Sequence, residues 1–255
     1  MGYYNQYNYK SVPYPSATRP SATVSSSGCG VCCMCMVVEG LTGEDAPPSM
    51  MAQYSISVGA RSADGTDMRR LGQAAADRWG LTYRTSDDIG DVIEAVKRGG
   101  MVIANVGGDR SGYKGLFSNG GHYVVVVGET SGKLIVWDSG QYEGKYSTLA
   151  RIDKVQGVGH DIRVLPAYLD QDCSNRQPRY YIFEREDSMT QADFDRMMDN
   201  WLARRAELPA SAWAVNELAE AVALGITDGQ RPRSFATREE VAAMIVRVLS
   251  GEEER

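Results

Sequence analysis

Four of the five cysteines in this chain sit in one short stretch, Ser25-Ser26-Ser27-Gly28-Cys29-Gly30-Val31-Cys32-Cys33-Met34-Cys35-Met36-Val37-Val38. A Ser/Gly run leads in and an unbroken apolar segment follows, so a loop is expected to feed the first turn of a buried helix at Cys29. Unpaired backbone N–H groups and the positive end of the helix dipole lie at such a start, and both favour a thiolate over a thiol. Cys29 is therefore the expected nucleophile. Cys32, Cys33 and Cys35 fall inside the helix, where a screened thiol packs as a small hydrophobe. Two other thiol chemistries compete. Cys29-Gly30-Val31-Cys32 has dithiol redox spacing, but such motifs follow directly on a β-strand, and here Thr23-Val24-Ser25-Ser26-Ser27-Gly28 precedes it. Cysteines this crowded cannot readily wrap a tetrahedral ion, which usually draws its ligands from two separated knuckles, so no metal is expected.

A cysteine nucleophile needs a base, and the chain holds only two histidines, His122 and His160. His122 follows Ser118-Asn119-Gly120-Gly121 and opens the strand Tyr123-Val124-Val125-Val126-Val127-Gly128, which would hold the ring rigidly. Asp138 ends the next strand, Lys133-Leu134-Ile135-Val136-Trp137-Asp138. The turn Glu129-Thr130-Ser131-Gly132 joins the two as an antiparallel hairpin, which brings the start of one strand near the end of the other. Asp138 can then orient the His122 ring and stabilise its imidazolium. His160, in Gly157-Val158-Gly159-His160-Asp161, has no such hairpin partner. His122 is the expected base.

Helices come first in the surrounding elements. Residues 1–28 are rich in Tyr and Pro and are expected to wrap a surface as an irregular arm. A buried helix over 29–40 should end at Gly40. Ser49 is the expected N-cap of a helix through Ser57, and Asp67 to Trp79 has helical spacing that stops at Gly80. Asp87 or Asp88 caps a further helix that ends at Gly99-Gly100. The period then changes to strands at 101–106, 122–128 and 133–138, with candidates at 160–165 and 179–184. Helices followed by an antiparallel sheet predict an α+β domain over 1–186. Residues 187–208 are expected to form a charged helical connector, and 209–255 a small two-helix module over 211–224 and 237–249.

A Ser-Gly-Cys-Gly helix start, then Gly-Gly-His-Tyr-Val-Val-Val-Val-Gly, then Val-Trp-Asp-Ser resembles the papain-like cysteine peptidases. The nearest branch is the one related to the peptidase domains of bacteriocin-exporting transporters. The order Cys, His, Asp is the family order, and Tyr3-Tyr4-Asn5-Gln6 resembles the Tyr-Tyr-x-Gln start of family members. That resemblance implies a papain-like fold over about residues 1–186. It also implies that Gln6 supplies the side-chain donor of an oxyanion hole, beside the Cys29 backbone N–H. Where the family usually has Pro-Thr-Ser after Cys-Gly, this chain has Val31-Cys32-Cys33. No cofactor is implied.

In the tail, Trp213-Ala214, Gly225-Ile226-Thr227-Asp228-Gly229, Pro232 and Ala236-Thr237-Arg238-Glu239-Glu240-Val241 resemble one copy of a surface-layer-homology-like repeat. Degenerate copies of that repeat occur at the ends of phage and prophage lysins. Thr237 with Glu240 is also a capping box, so part of the motif has a structural explanation. The module is open to two roles, binding of cell-wall polysaccharide or oligomer formation.

Composition sets the outer bounds. A net charge of −6 argues against a polyanion, so no nucleic-acid partner is expected. No apolar run approaches the ~20 residues of a membrane span. The start lacks a secretory pattern, so synthesis in the cytoplasm with later action on the wall is expected. Together these point to an endolysin-type cysteine peptidase that cleaves an amide bond in peptidoglycan. Two alternatives stay open: a peptidase that trims a leader peptide, and a dithiol redox or non-catalytic wall-binding protein.

Overall fold

The structure is a computed structural model that describes residues 2–186 and 191–252. The chain divides into two compact units, Met1–Ser188 and Met189–Arg255. In the first unit an arm with a 3-10 turn at Gln6–Asn8 leads into α1 (Val24–Ser27), α2 (Cys29–Thr42), α3 (Pro48–Ser57) and α4 (Met68–Trp79). There follow β1 (Leu81–Ser86), α5 (Ile89–Lys97), β2 (Met101–Val106), β3 (His122–Thr130) and β4 (Lys133–Trp137). The unit closes with β5 (Val155–Val158), β6 (Asp161–Val164), α6 (Pro166–Cys173) and β7 (Tyr180–Arg185). The seven strands form one sheet in the order β1-β7-β2-β3-β4-β6-β5, and every pairing is antiparallel. The fold is α+β and papain-like, as the sequence predicts.

Alternation along the central strands divides the core in two. On one face Met101, Ile103, Val125, Tyr181 and Phe183 meet α2, α3 and α4. On the other, Val102, Ala104, Val124, Val126, Tyr180 and Ile182 meet α5 and α6. Each strand serves both layers because successive side chains point to opposite faces. Helix α2 lies between the sheet and the other helices, and Gly30 through Val38 are all buried. A helix enclosed on every side has no polar stripe, which accounts for its run of Val, Met and Cys. Gly30 is required there, since a Cβ would come within 2.8 Å of Thr66.

Local chemistry sets most helix ends. Asp67 accepts from the Arg70 N–H at 3.2 Å, and Asp88 accepts from the Gly90 N–H at 2.8 Å. Three expectations shift. The Ser/Gly lead-in to Cys29 is a helical turn, α1, in which the Thr23 N–H donates to Ser26 Oγ at 3.1 Å. Helix α2 runs past Gly40 to Gly43, which takes the left-handed conformation with φ 78°. Helix α3 starts at Pro48 after Pro47, so a proline at the first position replaces the expected Ser49 cap.

The second unit contains α7 (Gln191–Ala206), a 3-10 turn at Ala212–Ala214, α8 (Val215–Ala223) and α9 (Arg238–Glu252). The helix of the expected connector belongs to this unit. The capping box forms: the Glu240 N–H donates to Thr237 Oγ1 at 3.2 Å, and the Thr237 N–H donates to Glu240 Oε2 at 2.7 Å.

Candidate active site

The β3–β4 hairpin places His122 and Asp138. Its two-residue turn, Ser131-Gly132, has positive φ at both positions, and Val125 faces Trp137 in the ladder. From that register His122 Nε2 and Asp138 Oδ1 come to 2.7 Å. An ionised carboxylate only accepts, so Nε2 is the donor and Nδ1 is left for the thiol. The Cys29 side chain is hydrogen-bonded to His122 from the other side. Two elements distant in sequence therefore meet here: the start of α2 and the open end of the hairpin.

Asp138 is fully buried and meets four donors. Oδ1 also accepts from the Gly140 N–H at 2.8 Å, and Oδ2 accepts from Lys145 Nζ and the Tyr146 hydroxyl, each at 2.5 Å. Burial alone would raise the carboxyl pKa, but the bond to His122 and the His122 and Lys145 charges hold it below the usual carboxylate range. For His122, burial disfavours the imidazolium, yet hydrogen bonds to Asp138 and Cys29 push its pKa up to about 9. Burial likewise raises the Cys29 thiol, and the His122 bond and charge, with backbone hydrogen bonds, bring it below the ordinary thiol value. The arrangement can hold a thiolate–imidazolium pair.

The other cysteines behave differently. Cys32, Cys33, Cys35 and Cys173 are buried, and burial pushes each thiol pKa up. Cys33 Sγ donates to the Tyr123 carbonyl at 3.3 Å, which ties α2 to β3. Among the described residues, no group of three or more His, Cys, Asp or Glu side chains is arranged to hold a metal ion.

Gln6 lines the same cleft as Cys29 and His122, with Asp138 behind the His122 ring. The Gln6 backbone N–H donates to the Ser139 carbonyl at 2.7 Å, and its Nε2 donates to the Ser25 carbonyl at 2.9 Å. One amide hydrogen on Nε2 is thus spoken for, and the second is available to a substrate oxygen. The arm is pinned on both sides of Gln6. Tyr3 donates its hydroxyl to the Asp138 carbonyl at 2.6 Å, and the Asn5 side chain donates to the Gln141 carbonyl at 2.6 Å. His160 lies outside this cleft, stacked on Tyr3 with ring centroids 4.8 Å apart.

Sequence reasoning missed Lys145, Tyr146 and the loop supports. Arg151 is buried and donates to the Gly115 and Lys145 carbonyls at 3.0 and 3.1 Å and to Asn119 Oδ1 at 2.6 Å. It thereby joins the loop before His122 to the loop that carries Lys145. Asp172, on α6, accepts from the Leu116 and Phe117 N–H groups at 2.9 and 3.1 Å. No local pattern announces these residues, since Lys145, Tyr146 and Arg151 lie in an irregular segment and Asp172 near the end of a short helix. Only the tertiary pairing reveals them.

No curated protein sequence matches the chain. A solved structure from Bacillus anthracis, described as a C39-like peptidase, is similar at 14% identity with a TM-score of 0.42. The match covers 69% of this chain and 96% of that one. The peptidase domain of Streptococcus ComA, a bifunctional ABC transporter involved in a quorum-sensing pathway, is similar at 14% identity and a TM-score of 0.40. That match covers 62% of this chain and 91% of the other. The sequence model of the Peptidase_C39 like family matches residues 2–156. That span holds the arm with Gln6, the helix that starts at Cys29 and the whole His122–Asp138 hairpin, and the chain belongs to the Peptidase_C39 like family.

Proposed function

We propose that the protein is a cysteine peptidase that hydrolyses an amide bond in bacterial peptidoglycan, with Cys29 as nucleophile. The observation that carries the peptidase chemistry is the relay Cys29–His122–Asp138, with Cys29 and His122 lining one cleft and Asp138 buried behind the ring. The thiolate attacks the carbonyl carbon, and the imidazolium protonates the departing amine, leaving an acyl-enzyme. A water, deprotonated by the now neutral His122, then releases the acid. Asp138 keeps the ring oriented and supports its charge, while Gln6 and the Cys29 backbone N–H receive the oxyanion.

The tail supports the choice of substrate. Its sequence resembles a surface-layer-homology-like repeat; the Thr237–Glu240 capping box and the turns at Gly225 (φ 72°) and Gly229 (φ 73°) are compatible with that resemblance and are also ordinary helix-start and turn geometry. On this reading the second unit binds wall polysaccharide. A dithiol redox role is disfavoured because the helical turn α1, not a β-strand, leads into Cys29, whose thiol is instead coupled to His122.

Purified Gram-positive walls incubated with wild type and Cys29→Ala test the proposal. The expected result is turbidity loss with wild type alone, and mass spectrometry of the released fragments then identifies the bond. Intact walls, together with cleavage of a leader-bearing peptide, would replace this substrate by the leader of a secreted peptide.

A further inference from the structure

We infer that Arg176 forms an anion subsite at the edge of the cleft and binds a carboxylate of the peptide next to the scissile amide. The inference rests on Cys29 as the nucleophile and adds the substrate's charge. Arg176 lines the cleft together with Asn105, Ser118 and Gly121. A Cβ added at Gly121 would come within 2.5 Å of the Arg176 NH2 group. The guanidinium therefore lies against the backbone one residue before His122, and the absence of a side chain at Gly121 leaves room for it.

Every other charge on the cleft wall is already balanced. Asp64 pairs with Arg19 at 3.0 Å, while Lys145 and His122 both pair with Asp138, at 2.5 and 2.7 Å. Arg176 is the one charged side chain of the cleft, among the described residues, with no ion pair. Its Nε is buried and has no acceptor. A half-buried guanidinium with an unmet N–H on the wall of the cleft that holds Cys29 is costly unless something completes it. A planar fork of N–H donors matches a carboxylate in two parallel hydrogen bonds. In a cleft built to hold a peptide, the anion available is a carboxylate of that peptide, on a side chain or at its C-terminus. Asn105 and Ser118 offer further polar groups at the same edge.

Alkylation of Cys29 tests this on the whole chain without knowledge of the natural substrate. Iodoacetate and iodoacetamide form the same C–S bond with loss of iodide and differ in a single carboxylate. The rate ratio, iodoacetate over iodoacetamide, is expected to be roughly fivefold or more higher in wild type than in Arg176→Gln, and this difference should shrink with added salt. Arg176→Lys should fall between the two. N-acetylglutamate α-amide and N-acetylglutamine, which carry a side-chain and a terminal carboxylate respectively, should protect wild-type Cys29 from iodoacetamide. Whichever protects identifies the source, and this arm needs no variant to fold. An unchanged ratio, or protection by neither compound, overturns the subsite. Failure of both reagents to label Cys29 faster than a free thiol overturns the nucleophile itself, a separate result.

Discussion

Asp138 receives four donors where an orienting carboxylate needs one, and the surplus has consequences. The Lys145 ammonium, 5% exposed, sits against Oδ2 and also donates to the Gly140 carbonyl at 2.9 Å. Lys145→Met removes one of two buried cations from Asp138 while His122, the Gly140 N–H and the Tyr146 hydroxyl remain, so unfolding free energy is expected to fall by ~1.5–3 kcal/mol, read from denaturant midpoints. Gln6 lines the same cleft and is held to the neighbouring Ser139. Its backbone anchor to Ser139 survives truncation, so Gln6→Ala should keep its circular dichroism spectrum while kcat falls by ~10²–10³. Unchanged kcat would remove Gln6 from the oxyanion site. The pairing of His122 with Asp138 was legible in the sequence, because a short hairpin leaves little freedom in which strand ends meet. Lys145 and Arg176 were not, since a loop residue announces its charge but not its partner.

Helices with capping side chains and strands with strict alternation were visible in the sequence at the scale of elements. Asp67 and Asp88 each satisfy an otherwise unpaired N–H, and the four-valine strand has two buried faces. What escaped were β1, β5 and α6. Strand β1 is an edge strand of Leu-Thr-Tyr-Arg-Thr-Ser with one buried position, Leu81, and β5 is four residues at the opposite edge. Helix α6 spans eight residues and starts at Pro166. Their identity comes from the neighbours they pair with or pack on, more than from their own pattern. The tight turn after β4 has a direct consequence. A Cβ at Gly140 would approach His122 Cε1 to 2.9 Å and Nε2 to 3.1 Å. Gly140→Ala should push the ring off the line between Asp138 and Cys29, with kcat reduced roughly 100-fold, KM little changed and the fold retained. Full activity in that variant would mean that the ring position tolerates displacement.

At the scale of the whole molecule the two units differ in how they hold themselves together. The first has a core on each face of its sheet, whereas no described residue of the second is buried. Trp213, Phe235, Ile245, Val246 and Leu249 are each more than half exposed. Such a module is expected to gain stability from a partner, either wall polymer or another copy. A chain shortened to residues 1–188 should unfold cooperatively and hydrolyse small peptides at the rate of the full chain, yet no longer sediment with purified walls. Sedimentation undiminished by the truncation would assign wall binding to the first unit. No helix among the described residues is long and apolar enough to cross a membrane.

The proposed thiolate–imidazolium pair at Cys29 and His122 underlies the expectations about activity, and its pH dependence is open to direct measurement. The pair exists above the lowered pKa of Cys29 and below the His122 value of about 9. Folding linkage has the same sign: a histidine raised from 6.5 to about 9 contributes stability that is fully present below 6.5 and lost as pH rises through about 9. The most direct test follows the rate of Cys29 alkylation by iodoacetamide against pH in wild type and His122→Ala. The account predicts that wild-type reactivity persists well below the ordinary thiol range and that in His122→Ala, where burial acts without the imidazolium, the midpoint moves up to or above the ordinary thiol value of ~8.5. Superimposable profiles with an ordinary thiol midpoint would contradict it.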